Sequence, residues 1–184
     1  MTLEVLSLTL CLASGIFGRP AWTAEKCDER AAQILKISNE NDLDPLMFVA
    51  VNIQECDLNE AANARFYAKS PTNKKKKPMG VDACPMGIRI WWPSGKPPEK
   101  PLTTMELYEL AGKKMARWKK WCAKNHKGHH YIGHWNEGNR TYATQVLGFR
   151  SALEGKPVKN QDELTERTLE ILKRLRRAQR APSS

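Results

Sequence analysis

The sequence predicts a mainly α single domain with a long irregular loop and a basic amphipathic C-terminal helix. Three observations predict it. Apolar residues recur at helical spacing in five segments, helix-start residues head two of them, and no segment alternates strongly enough to demand a sheet. A length of 184 residues is one domain's worth and can bury a substantial core.

The elements follow in order. Residues 1–24 read as a signal peptide, because the leucine-rich run from Leu3 to Phe17 is too short for a good membrane span. Glu4 sits in its head with no Lys or Arg before the run, and cleavage near Ala13-Ser14-Gly15 or after Ala24 stays open. Cys11 follows Leu10, so no lipobox is read. From Cys27 to Asn41, residues Ala31, Ala32, Ile34, Leu35 and Ile37 form the inner face of a helix. A second helix starts with Asp44 as cap and Pro45 as its first residue. Leu46, Val49, Ala50 and Ile53 share one face of it, and Phe48 with Val51 extends burial around the axis.

The region from Ala62 to Pro101, rich in Pro and Gly, is expected to be irregular, with a short hairpin around Gly87 to Trp92 as its only regular option. Lys69 to Pro78, carrying Lys74-Lys75-Lys76-Lys77, is expected to be a solvated loop. Thr103 and Glu106 have capping-box spacing and open a helix to about Lys124, in which Met115, Trp118 and Cys122 make a core stripe. Thr141 to Glu154 closes a domain over residues 25–155. Residues 156–184 supply a basic helix and tail in which Leu164, Thr168, Ile171, Leu172 and Leu175 line one side. That helix either docks on the domain or contacts an anionic surface, and docking is the simpler expectation.

Charge narrows the partners without naming one. The formal net charge of +10 favours anionic polymers or anionic envelope surfaces. Arg117-Trp118-Lys119-Lys120-Trp121 has the look of a base-stacking segment, but helical spacing assigns its apolar members to a core. No nucleic-acid-binding signature is legible, and no specific nucleic acid is expected. All four histidines lie between His126 and His134. His130 with His134, or His126 with His130, has chelating spacing on a helix, yet Gly128, Gly133 and Lys127 argue against a metal, and none is expected.

One carboxylate stands out chemically. Glu55 falls in the last turn of the apolar second helix, where partial desolvation and the negative end of the helix dipole both disfavour its ionised form. A carboxylic acid that stays protonated near neutral pH can donate a proton to a leaving oxygen, as glycosidic bond cleavage requires.

The surrounding residues resemble a known family. Glu55-Cys56-Asp57-Leu58-Asn59-Glu60-Ala61-Ala62 is similar to the glutamate-serine motif of the lytic transglycosylases, lysozyme-like muramidases that cleave peptidoglycan. Gly133-His134-Trp135-Asn136-Glu137-Gly138, followed by Tyr142 and Val146, resembles that family's Tyr-Asn-x-Gly motif with its downstream tyrosine. Between them, Ala83-Cys84-Pro85-Met86-Gly87-Ile88 sits where the family has Gly-Leu-Met-Gln, agreeing at Met86 and Ile88. The likeness spans roughly residues 28 to 153. Cys56 replaces the motif serine, Gly87 the sugar-contacting glutamine and Trp135 the tyrosine.

The resemblance implies a lysozyme-like fold whose long irregular loop borders a cleft, with peptidoglycan glycan strands as substrate and no cofactor. Glu55 is then the catalytic acid and base, and Met86, Trp135, Asn136 and Tyr142 are the substrate-binding candidates, with His134 nearby. Asp57, Asp82 and Glu137 are candidate helpers. The product is an anhydro sugar formed by the substrate's own 6-hydroxyl. A goose-type lysozyme, which delivers water instead, or an inactive cell-wall-binding or secretion-associated protein are the alternatives. A monomer in the periplasm or outside the cell is expected. Without residues 1–24 the cysteines are Cys27, Cys56, Cys84 and Cys122, which allow up to two disulfides in three pairings. At least one bridge is expected to involve Cys56 or Cys84, because both border the implied cleft. No Cys-x-x-Cys spacing exists, which argues against a redox motif or a cysteine zinc site.

Overall fold

A computed structural model describes residues 1–17, 21–66, 80–91, 100–125 and 130–180. Its α-helices are α1 (Leu3–Ser14), α2 (Ala24–Asn41), α3 (Pro45–Cys56), α4 (Thr104–Asn125), α5 (Arg140–Leu153) and α6 (Glu166–Arg180). Three short strands, β1 (Asn63–Phe66), β2 (Gly80–Ala83) and β3 (Ile88–Trp91), lie between α3 and α4. The domain is mainly α.

Local chemistry sets the helix ends. The Asp44 carboxylate accepts the Leu46 N–H at 2.9 Å and Pro45 opens α3. Thr103 and Glu106 form a reciprocal capping box, the Thr103 N–H reaching Glu106 at 2.7 Å and the Glu106 N–H reaching the Thr103 hydroxyl at 3.3 Å. Asn139 caps α5 through the Tyr142 N–H.

The core forms around α3. Phe48, Val49, Ala50, Val51 and Ile53 are fully buried, and the buried Asn52 amide donates to the Tyr108 hydroxyl of α4 at 3.3 Å. Helix α3 packs on α5, α2 packs on α1 and α4, and α5 packs on α6. Helix α6 docks as expected: Thr168, Ile171, Leu172 and Leu175 are all buried, as is Leu164 just before it.

Two expectations are corrected. The region after α3 is not simply irregular, because β1, β2 and β3 form an antiparallel sheet in that order, with Asn63 opposite Ala83 and Ala83 opposite Ile88. The hairpin at Gly87 is its second half. The Lys69 to Pro78 loop lies outside the described residues, as do His126 and His129. The cysteine set also differs. Cys56 bonds Cys84 as one of the expected options, but Cys27 bonds Cys11, and Cys122 is buried and unbonded. The segment expected as a leader forms α1, whose Leu6, Leu10 and Ala13 are buried in the core. Among the described residues, no helix is long and apolar enough to cross a membrane.

Candidate active site

Glu55 projects from the last turn of α3, where Asp57 at φ 50° and Leu58 at φ 56° turn the chain out of the helix. The next residue, Cys56, is bonded to Cys84 at the start of the β2–β3 turn. The disulfide therefore ties the acid-bearing helix end to the hairpin. The result is a close approach: Gly87, at φ +60°, lies so near that a β-carbon on it would stand 2.6 Å from Glu55 Oε2. A side chain there would be strained by the positive φ and would have to push the Glu55 carboxyl aside.

Side chains from four other elements surround this carboxyl. Glu55 is exposed by its surface area, yet the protein packed around it removes enough water to push its pKa above the usual carboxylate value. The Tyr142 hydroxyl of α5 is the strongest influence in the opposite direction, followed by the charges of Lys114 on α4 and Arg167 on α6; Asp82 on β2 adds to the rise. The Tyr142 hydroxyl is buried and has no partner of full hydrogen-bond geometry. It acts on Glu55 as a nearby donor outside full hydrogen-bond geometry.

The remaining charges are ordered. Asp82 is clamped by Arg89 on β3 through two contacts of 2.9 and 3.2 Å. Arg89 in turn lies within electrostatic range of Glu137, which brings the turn after Tyr131–Asn136 toward the sheet. Arg167 binds the Asp57 carboxylate at 2.6 Å and so pins the end of α3 to α6. The Lys114 ammonium sits 4.2 Å above the Trp135 ring, and burial lowers its pKa.

The expected substrate residues are placed unevenly. Tyr142 adjoins Glu55, and Trp135 reaches the same cluster through Lys114. Trp135 is only 8% exposed, however, and one face of its ring carries Lys114. Met86 is fully buried, so its side chain packs in the core beneath the hairpin turn. Asn136 is exposed, and its carbonyl accepts the Asn139 N–H at 2.9 Å. His134 stacks on Trp118 at 4.8 Å and meets Trp121 edge-on. Lys114, Arg89 and Arg167 had no distinguishing signal in the sequence, where each reads as one more solvated cation.

No family model, curated protein or solved structure matches this chain.

Proposed function

We propose that the protein is a lytic transglycosylase that breaks the β-1,4 bond between N-acetylmuramic acid and N-acetylglucosamine in peptidoglycan. The observation that carries this reading is Glu55: a solvent-reachable carboxyl with a raised pKa, at a helix end tied by a disulfide to a hairpin whose Gly87 backbone lies against it. In this proposal its proton goes to the glycosidic oxygen as the C–O bond breaks. The resulting carboxylate then takes the proton of the 6-hydroxyl of the same sugar, which closes on C1 to give the anhydro product. The Tyr142 hydroxyl and Lys114 would stabilise the carboxylate formed between the two steps.

The state of Asp82 favours intramolecular attack over delivery of water. Both its oxygens are engaged by Arg89, which makes it a poor general base for a water. Substrate contact is assigned to the exposed Asn136, with the buried Tyr142 and Trp135 backing it and Met86 shaping the hairpin from below. The two disulfides suit an oxidising compartment, and the periplasm or the exterior is the proposed location.

The reading is tested by Glu55→Gln, which keeps the shape and removes the proton. Release of muropeptides should cease while the circular dichroism spectrum stays unchanged. Activity within a few-fold of wild type would end the assignment.

A further inference from the structure

We infer that the cavity between the C-terminal half of α6 and the turn after α5 is a binding site for a phosphate-bearing anion, separate from Glu55. The cavity has a volume of about 430 Å³, room for a phosphate and part of the group it esterifies. Arg176 and Arg180 line it from α6, Lys156 lines it from the turn, Ala152 and Pro157 give apolar wall, and Gln179 is also in the lining. Among the described residues, no carboxylate lines it.

Three observations point to an anion. Arg176 and Arg180 are four residues apart and so share one face of α6, an arrangement of like charges that destabilises an isolated helix unless a counter-charge lies between them. Among the described residues neither has an ion-pair partner, whereas Arg167 and Arg174 of the same helix are both paired. Lys156 faces the cavity while binding Glu154 at 2.8 Å, and Glu154 is also bound by Arg150, so this carboxylate is neutralised outside the lining.

A simpler account is that basic residues near a helix C-terminus complement its dipole. That explains charge at the end of α6. It does not explain two unpaired arginines and a lysine from another element converging on one cavity. Guanidinium groups offer paired N–H donors that match phosphate oxygens, and residues 171–184 contain five cations and no acid.

Inorganic phosphate is the first probe, titrated by calorimetry into the full chain at low salt. The site predicts saturable binding that falls about ten-fold or more in Arg176→Gln/Arg180→Gln, since two charge-assisted contacts are lost. Lys173→Gln/Arg177→Gln removes the same charge from exposed positions outside the cavity and should leave the affinity within about two-fold. Circular dichroism should be unchanged in both pairs, because Ile171, Leu172 and Leu175 still anchor the helix. Sedimentation with phosphatidylglycerol vesicles, against phosphatidylcholine vesicles, identifies the source of the phosphate. Vesicle binding lost with Arg176 and Arg180 supports the site and assigns a lipid headgroup. Phosphate binding without vesicle binding supports it and assigns a soluble ester. Absence of phosphate binding by the wild type, or equal loss in the two variant pairs, would overturn the proposal.

Discussion

Gly87 and Glu55 are in near-contact, with the space of a missing β-carbon 2.6 Å from the Glu55 carboxyl oxygen. Where the lytic transglycosylases carry a sugar-contacting glutamine, this chain has a glycine at positive φ whose bare backbone lies against the acid. The glycine makes the room in which the acid stands.

Gly87→Ala is therefore expected to be severe for activity and moderate for stability. A left-handed alanine costs roughly 1 to 2 kcal/mol, and the atom that must yield is the movable end of Glu55, so the fold survives while the carboxyl is displaced. Kinetics and thermal unfolding measured together check this. Full activity with a normal melting temperature would show that the contact is unimportant.

Glu55→Gln should also reveal itself in stability. A carboxyl whose folded pKa is raised contributes stability fully only below its unfolded value, near 4.5, and that contribution is lost as pH rises through the folded value. Glutamine does not titrate. The variant should gain on the wild type as pH rises from about 4 to 7, and a melting-temperature difference that is flat across this range contradicts the raised pKa.

Lys114→Met keeps most of the stem over Trp135 and removes the charge. Lys114 lowers the Glu55 pKa, so its loss should move the alkaline limb of the activity profile to higher pH. A limb that moves to lower pH, or stays in place, argues that Lys114 does not sense Glu55.

Trp135→Ala should lose stability along with activity, by about 3 kcal/mol or more, as for other buried aromatic truncations. Asn136→Ala, at an exposed position, should lose turnover with little loss of fold. Urea unfolding beside kinetics separates the two, and equal destabilisation by both would make the whole turn structural.

Joint replacement of Cys56 and Cys84 by serine is expected to cost about 2 to 4 kcal/mol, and to reduce activity under conditions where the protein is still folded. The bond joins the residue after Glu55 to the turn that holds Gly87. Thiol counting on the unfolded wild type should find one free cysteine, Cys122, if α1 is retained with its Cys11–Cys27 bond. Intact mass shows directly whether α1 remains.

Helices α2 to α6 were legible because their signals are local. Asp44-Pro45, the Thr103–Glu106 box and the apolar stripe of α6 each specify an end or a face without reference to the rest of the chain. The sheet was not legible, because its strands have four residues each and β1 pairs with β2 across residues 67–79, a relationship that no local pattern encodes. Glu55 stood out as a carboxyl on an apolar helix. Its electrostatic neighbours did not, since Lys114 and Arg167 acquire meaning only when α4 and α6 meet the end of α3, and Arg89 only through its clamp on Asp82. Met86 and Trp135 were legible as apolar residues in motifs, yet periodicity does not tell a buried wall from an exposed platform. Cys11 was left out of the disulfide count because its segment was set aside as a leader.

The most direct test of the central claim is mass spectrometry of the products formed from purified peptidoglycan by the wild-type protein and by Glu55→Gln. Anhydro-ended muropeptides, each one water lighter than the hydrolytic product, are expected from the wild type and none from the variant. Reducing-ended fragments would contradict the transglycosylase chemistry, and intact glycan after incubation with the wild type would contradict the enzyme.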